Sequence, residues 1–185
     1  MKRTAFAIAM LTLFTVPALA AESAFQISPR FGRGELRIDQ FKGVNKELEE
    51  LDTFGLGASF GVVTPVGVMF ALGHTSYGNF DVFNATDEFN LTELYFLMGY
   101  QFELGDGWRL VPKVGRTRWK LTSEEGQLFH PGSEATEVLR GYEYFWEADL
   151  ARSINKHMAL GITARGGDYD FGESRSIAFL MTFEF

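Results

Sequence analysis

Residues 176–185 read Ser-Ile-Ala-Phe-Leu-Met-Thr-Phe-Glu-Phe, so a large apolar side chain stands at every second position from Ile177 to Phe185. A period of two places these five side chains on one face of a β-strand. Such a strand suits a site where one face meets hydrocarbon, because lipid-facing and inward-facing residues alternate along a membrane-spanning strand. The stretch predicts a transmembrane β-strand, provided that the rest of the chain shows the same pattern.

Seven further segments do show this alternation. They cover about residues 25–33, 53–63, 66–73, 90–104, 108–118, 142–151 and 158–165. In the longest of them, for example, Leu94 and Phe96 alternate with Glu93 and Tyr95. Alternation of this kind predicts half-buried strands. Eight strands in total is an even number, as bacterial single-chain barrels require.

The connections between these segments alternate in length. The short ones are Thr64-Pro65, Gly105 to Gly107 and Ser153 to His157, and the long ones cover about residues 34–52, 74–89 and 119–140. The last connection, at about 166–173, is intermediate. Short turns at one end of a barrel and long loops at the other are typical of up-and-down membrane barrels.

The charged residues within the predicted strands nearly all lie on the face opposite the aromatic one. They are Arg30, Glu93, Glu103, Arg109, Lys113, Glu143, Glu147, Asp149, Arg165 and Glu184. A soluble lipocalin-like barrel, the main alternative, would place the aromatic face inside. Eight strands leave an interior only just wide enough for side chains to fill, so this many large groups would overfill it. The sequence therefore predicts an all-β, eight-stranded, antiparallel up-and-down transmembrane β-barrel with its polar face inward.

Two prolines fall inside the predicted strands. Pro29 and Pro112 have no backbone N–H to donate, and a closed barrel has no free edge where that loss is harmless. We therefore expect a β-bulge or a strand start at each of them.

The first twenty residues have the layout of a secretory signal peptide. A basic start at Lys2 and Arg3 precedes an apolar run, and Pro17-Ala18-Leu19-Ala20 ends in a small-x-small pattern. The apolar run is too short to cross a bilayer as a helix. We expect residues 1–20 to be a cleaved signal peptide and residues 21–185 to form one barrel domain.

Composition narrows the chemistry. Without residues 1–20 the formal charge is 15 − 24 = −9, which argues against a nucleic-acid partner. The chain contains no Cys, so disulfides and thiolate metal sites are excluded. His74, His130 and His157 are scattered without the spacing of a metal site. The sequence predicts no catalytic residues, no metal and no cofactor.

With its signal peptide, eight alternating strands, alternating connections and terminal Phe185, the chain resembles the small outer-membrane barrels, such as the transmembrane domain of OmpA, OmpX and the Opa-like adhesins. The resemblance covers the whole chain after residue 20 and rests on architecture. It implies a location in the outer membrane of a Gram-negative bacterium, among outer-membrane lipids and lipopolysaccharide. It also implies that the barrel assembly machinery recognises the last strand through Phe185, and that the role is structural or surface-interactive (adhesion or resistance) rather than enzymatic.

The inward charges predict ion pairs inside the barrel. Carboxylates on two predicted strands flank Arg109 and Lys113 on the strand between them. They are Glu93, Glu103, Glu143, Glu147 and Asp149. Because an unpaired buried charge costs several kcal/mol, we predict a polar, plugged lumen. The alternative is a narrow channel for small solutes, since wide pores need about 16–18 strands.

An enzymatic alternative is raised by His74-Thr75-Ser76. The lipid A deacylases, which are eight-stranded outer-membrane enzymes, carry a His-x-Ser pair with an acidic partner near the outer rim. In this chain the pair follows the third predicted strand rather than a late one, and no acidic residue shares its face. A hydroxyl nucleophile needs an oriented base, so a lipid A-modifying activity is the less favoured interpretation.

The fifth predicted strand places two arginines near the external rim. Counting outward-facing positions from Trp108 reaches Arg116 and Arg118. At ~3.3 Å per residue and a tilt of ~40°, Arg116 lies roughly 20 Å above Trp108, near the top of an apolar band ~25 Å tall. Guanidinium groups bind phosphate bidentately, so we predict that Arg116 and Arg118 contact lipopolysaccharide. The alternatives are ordinary loop-edge charges, or a bulge at Pro112 that turns both inward.

Overall fold

The structure is a computed structural model that describes residues 23–38, 48–78, 88–124 and 137–185. These residues form nine strands. They are β1 (Ala24–Ile38), β2 (Leu48–Val63), β3 (Val68–Gly78), β4 (Glu88–Tyr100), β5 (Phe102–Gly105), β6 (Trp108–Glu124), β7 (Glu137–Asn155), β8 (Met158–Tyr169) and β9 (Gly172–Glu184). Within those ranges no helix has the length and apolarity needed to cross a membrane. The predicted signal peptide lies outside the described residues.

The strands close into one barrel. Each pairs antiparallel with its neighbour, β1 pairs with β9, and both β4 and β5 pair with β6. The β4 and β5 segments keep one register against β6, from Gly99 opposite Lys113 to Phe102 opposite Leu110. They are therefore one barrel strand with a break at Gln101. The result is the predicted eight-stranded antiparallel up-and-down barrel.

The two ends of the barrel differ as predicted. Short turns join β2 to β3, β5 to β6 and β7 to β8 at the end that also holds both ends of the barrel chain. We name it the periplasmic end and the opposite one the external end, following the usual arrangement of such barrels. The strands extend further toward the external end than predicted. The connection predicted as intermediate at 166–173 is a tight turn at Asp170 and Phe171.

The expectation of a bulge or a strand start at each proline is wrong. Pro29 lies opposite Ala58 and Pro112 lies opposite Ala148, both in unbroken register. On its other side, each proline leaves a gap in the ladder but causes no register shift. At Pro29 the gap lies between β1 and β9, and at Pro112 it lies opposite the break between β4 and β5. The barrel thus accommodates a missing N–H by omitting one ladder contact. On the β3 side the ladder continues past this break, since the backbone N–H of Gln101 donates to the carbonyl of Gly67 at 2.8 Å.

The outward face is a continuous apolar belt. Its members alternate along every strand and are well exposed at the barrel surface. Examples from six strands are Phe31, Leu56, Leu72, Phe96, Trp146 and Ile177. A closed barrel satisfies its backbone hydrogen bonds internally, which is the condition for crossing hydrocarbon. The predicted orientation, with the aromatic face toward lipid, is confirmed.

Several inward-facing aromatic rings fit because a glycine lies beside each of them on a neighbouring strand. Gly73 is the register partner of Tyr95, and a Cβ on Gly73 would lie 2.4 Å from Tyr95 Cζ. Gly55 beside Tyr77 repeats the arrangement, with a Cβ contact of 2.6 Å. Such contacts are too short for any side chain, so the glycines create the room that the rings occupy.

The interior is less polar than predicted, because two apolar clusters share it with the charges. The external cluster contains Leu36, Ile38, Tyr77, Phe89, Leu91, Trp119, Leu121, Tyr169 and Phe171. The second cluster contains Val63, Met69, Ala71, Tyr95, Leu97, Val111 and Phe145. In the external cluster Trp119 meets Tyr169 and Phe171 edge to face, at ring-centroid distances of 6.2 and 4.9 Å. Charged groups therefore occupy the middle of a lumen whose external end is filled by apolar side chains.

Candidate functional site

A cluster of six charged side chains lies inside the barrel, and we call it the lumen cluster. Its cations are Arg30, Lys113 and Arg165, and its carboxylates are Glu93, Glu147 and Asp149. All six residues are buried, with exposures of 6% or less. Three cations and three carboxylates make the cluster neutral, which is the arrangement that a low-dielectric interior requires.

Glu147 is the centre of the lumen cluster. Lys113 Nζ lies 2.6 Å from Glu147 Oε1, and Arg30 Nη1 lies 2.5 Å from Glu147 Oε2. Lys113 Nζ also donates to Asp149 Oδ2 at 2.5 Å, and Arg30 Nη2 donates to Ser59 Oγ at 3.0 Å. Charge-assisted hydrogen bonds of this kind are stronger than neutral ones, so the cluster joins β1, β2, β6 and β7 across the lumen.

Arg165 connects the lumen cluster to the external half of the barrel. Its Nη2 lies 2.9 Å from Glu93 Oε2, although the alignment is not that of a hydrogen bond. Its guanidinium carbon lies 3.7 Å from the ring centroid of Phe145 and 4.5 Å from that of Tyr95, within the range of a cation–π contact. Tyr169 completes the group by donating its hydroxyl hydrogen bond to Glu93 Oε1.

A second ion pair lies nearer the periplasmic end. Arg109 pairs with Glu184, and Gln26 Nε2 donates to the same carboxylate at 3.0 Å. This contact ties β6 to β9 and β1 through the last strand of the barrel. It also shows that the polar face of the C-terminal strand points inward, as its alternation predicted.

The predicted ion pairs are correct in part. Lys113 pairs with Glu147 and Asp149 as expected, but Arg109 pairs with Glu184 rather than with the carboxylates of the adjacent strands. Glu103 is exposed and accepts a hydrogen bond from Gln101. Sequence reasoning identified Arg30 and Arg165 as inward-facing but missed both as members of the lumen cluster. The Arg30–Glu147 and Arg165–Glu93 contacts cross the lumen, and no neighbouring-strand pattern signals them. Arg165 is also the register partner of Glu147 on the adjacent strand, at 3.9 Å, and the strand order could have signalled that pair.

Arg116 and Arg118 both point outward on β6, so the alternative in which a bulge at Pro112 turns them inward is wrong. The guanidinium carbon of Arg116 lies 5.5 Å from the ring centroids of both Tyr142 and Tyr144. Arg118 is the register partner of Tyr142. These contacts hold Arg116 along the barrel surface at the upper limit of the apolar belt. Contact with lipopolysaccharide stays a prediction.

The His-x-Ser pair points outward on β3. Ser76 donates its hydroxyl hydrogen bond to Asn90 Oδ1 at 3.2 Å, and not to His74. Asn90 also accepts from Thr92, so the serine belongs to a small polar group at the external rim. Among the described residues, no hydrogen bond joins the Ser76 hydroxyl to His74, the nearby group that could act as the base in nucleophilic attack.

Solved structures with the same fold are small outer-membrane barrels. Neisserial surface protein A is similar with a TM-score of 0.68 and 13% sequence identity, over 88% of this chain and 99% of that chain. Ail, the attachment invasion locus protein of Yersinia pestis, is similar with a TM-score of 0.64 and 10% identity, over 89% and 99%. The N-terminal barrel domain of Pseudomonas aeruginosa OprF is similar with a TM-score of 0.57 and 19% sequence identity, over 88% of this chain and 97% of that chain.

At these identities the likeness extends to the fold alone. The chain matches no protein-family model, and no curated relative matches it in sequence. The closed barrel, its outward apolar belt and these neighbours define the class: the chain is a small eight-stranded barrel of the outer-membrane type. Its location is the outer membrane of a Gram-negative bacterium, as predicted.

Proposed function

We propose that the protein is a non-enzymatic outer-membrane barrel with a structural or surface-interaction role, such as adhesion or resistance. In this proposal the lumen is closed and the connections at the external end face the medium. Loops on a rigid scaffold are the usual place for recognition. Two structural neighbours, a neisserial surface protein and an attachment invasion protein, support a role of this general kind.

The lumen cluster carries the proposal of a closed lumen. Its charges are paired with one another at 2.5 to 2.9 Å, which supports a plug rather than an open passage. Beyond it, the external apolar cluster fills the barrel, and several of its side chains are fully buried. An eight-stranded barrel has an interior that side chains alone can fill, which supports a lumen without a passage for hydrated solutes.

The closed lumen predicts that purified protein gives no stable conductance steps in a planar lipid bilayer. The reason is that ion movement would require the lumen cluster to separate, and unpaired charges in this interior are costly. The OprF barrel domain, prepared in the same detergent, is a suitable protein of similar fold for comparison. Reproducible steps with ion selectivity would contradict the closed lumen and favour the narrow channel.

Outer-membrane lipids are a proposed partner, and the proposed contact is through Arg116 and Arg118. Both arginines are outward-facing where the apolar belt ends, which is the depth of lipid headgroups. The cation–π contacts of Arg116 with Tyr142 and Tyr144 leave the edge of its guanidinium available for phosphate. A planar guanidinium binds phosphate through two parallel hydrogen bonds.

Arg116→Gln with Arg118→Gln is expected to reduce the thermal stabilisation that added lipopolysaccharide produces in detergent. The variant removes both guanidinium contacts without changing an inward-facing residue. Thermal unfolding with and without lipopolysaccharide measures the effect. The matched control is Arg33→Gln with Arg37→Gln, which removes two outward-facing arginines from β1. An equal lipopolysaccharide-dependent shift in wild type and the Arg116/Arg118 variant would rule the contact out.

The proposed assembly route uses the last strand. Its outward residues continue the apolar belt as far as Phe185, and Phe25 and Phe185 exchange backbone hydrogen bonds of 3.2 and 3.0 Å where the barrel closes. The closing strand pair is thus the β1–β9 pair. Recognition of Phe185 by the barrel assembly machinery is the function that the resemblance implies for this strand.

A further inference from the structure

We propose that a groove across the outer surface of β4, β6, β7, β8 and β9 binds one molecule of a lipid A-type lipid, with acyl chains along the apolar belt and phosphate at the external rim. The inference rests on the proposed contact with outer-membrane lipids and deepens it. It assigns a defined, one-to-one site rather than a general lipid annulus. We call this site the seam groove.

The seam groove lies where the pairing between β7 and β8 ends. The pairing between β7 and β8 ends at Phe145 opposite Gly167, whereas β7 itself continues to Glu137. Toward the external end, β7 therefore stays paired with β6 but has no ladder to β8 among the described residues. Two strands that separate in this way leave a depression in the wall, next to the outward side chains of β7.

Glycine makes the floor of the seam groove. One ladder row runs from Val114 through Trp146 and Gly166 to Arg175. A Cβ on Gly166 would lie 2.8 Å from the Trp146 ring, so the indole lies across bare backbone. An open groove of about 1070 Å³ lies along this row. Its size is that of a site for a large ligand, since small-molecule sites usually measure about 300–1,000 Å³.

The lining of the groove changes from apolar to polar toward the external rim. Phe96, Met98 and Val114 line its apolar part beside Trp146. Arg116 and Arg175 line its polar part, where the outward residues of β6 and β9 change from apolar to charged. A lipid of the external leaflet has the same layout, with hydrocarbon toward the membrane centre and headgroup at the surface. The groove therefore complements one such lipid in direction as well as in polarity.

The charges favour a headgroup with phosphate. Arg116 and Arg175 stand on strands three spacings apart, which corresponds to about 14 Å. Lipid A carries a phosphate at each end of its disaccharide, so one molecule presents anions to both guanidinium groups. Asp168, which is exposed on β8 between the two arginines, also lines the groove. Its carboxylate disfavours an anion over the seam itself and directs the phosphates toward its two flanks.

Native mass spectrometry of the whole barrel in detergent, with hexa-acylated diphosphoryl lipid A as the probe, tests the seam groove. Wild type is expected to retain one lipid A molecule at low probe excess. Val114→Trp fills the groove with an indole, and Arg175→Gln removes one phosphate contact. Each variant is expected to weaken lipid A binding by about tenfold. For Arg175→Gln, this is the equivalent of one charge-assisted interaction. Lipid A without phosphates loses both phosphate contacts, so it is expected to bind wild type more weakly than diphosphoryl lipid A binds Arg175→Gln.

Two matched variants act as controls away from the groove. Leu72→Trp adds the same indole at an outward position on β3 that is as exposed as Val114. Arg33→Gln removes an outward arginine whose partner, Asp52, is an exposed carboxylate, as Glu173 is for Arg175. Equal weakening by Val114→Trp and Leu72→Trp, or binding of several lipid A molecules with no one-to-one species, would overturn the proposal. Either result would show that lipid A binds only as part of a general lipid annulus.

The variants also separate this inference from the proposed lipid contact. Val114→Trp and Arg175→Gln leave Arg116 and Arg118 in place. If the Arg116/Arg118 variant loses its lipopolysaccharide response while the two groove variants keep wild-type binding, the rim contact stands and the seam groove is rejected. If no variant responds, both the rim contact and the seam groove are rejected.

Discussion

Lys113→Met is expected to destabilise the barrel by about 3–5 kcal/mol, the usual result of removing one partner from a buried ion pair. Lys113 is 4% exposed and contacts both Glu147 and Asp149. Glu147 keeps Arg30 in the variant, but Asp149 loses the one cation with which it forms an ion pair among the described residues. Urea unfolding in detergent micelles measures the change in the free energy of unfolding.

The control and the rescue use the same strands. Lys120→Met removes an outward lysine of β6, and its effect is expected to be within about 0.5 kcal/mol, as for ordinary surface substitutions. Adding Asp149→Asn to Lys113→Met removes the stranded charge and is expected to recover part of the loss. A variant with unchanged stability together with a new conductance would mean that water fills the lumen.

Trp119→Ala is expected to cost about 3–5 kcal/mol, the usual range for truncating a large buried aromatic side chain. The indole is 2% exposed and packs edge to face on Tyr169 and Phe171. Its N–H has no hydrogen-bond partner among the described residues, so the loss is one of packing. Gly141 lies directly beside the ring and offers no side chain to fill the cavity.

Two measurements check the Trp119 prediction. Urea unfolding in micelles gives the stability, with Trp108→Ala as the control because Trp108 faces outward and is 40% exposed. Planar-bilayer recording then shows whether removing the indole opens a path. Since the lumen cluster still fills the middle of the barrel, Trp119→Ala is expected to remain non-conducting. Conductance in this variant alone would mean that the external apolar cluster is the seal.

The two substitutions assign different tasks to the two parts of the interior. The lumen cluster holds opposite walls together through charge, since its ion pairs join β1 to β7 and β8 to β4. The external apolar cluster packs the external end of the lumen as far as the described residues extend. A rigid external end provides a firm base for loops that bind a partner, which is what a surface-interaction role requires.

Strand number, inward and outward faces and closure followed from the sequence alone. The alternation of Ile177, Phe179 and Met181 with smaller or polar neighbours is a local pattern, and lipid on one side leaves a single workable orientation. The lysine of the lumen cluster was predictable as well. Lys113 is the register partner of Glu147 on the adjacent strand, and neighbouring strands of opposite charge signal such pairs.

Only the tertiary structure determined which side chains meet across the lumen and where the seam groove lies in the barrel wall. Arg165 meets Glu93, and Arg30 meets Glu147, because opposite walls of a narrow barrel approach one another; those residues are far apart in sequence and are not on adjacent strands. The seam groove depends on where the β7–β8 ladder ends and on one glycine beneath Trp146. Alternation specifies which way a side chain points, since that property is local. Which partner it meets is set by strand register and by the approach of opposite walls, and no local pattern encodes either.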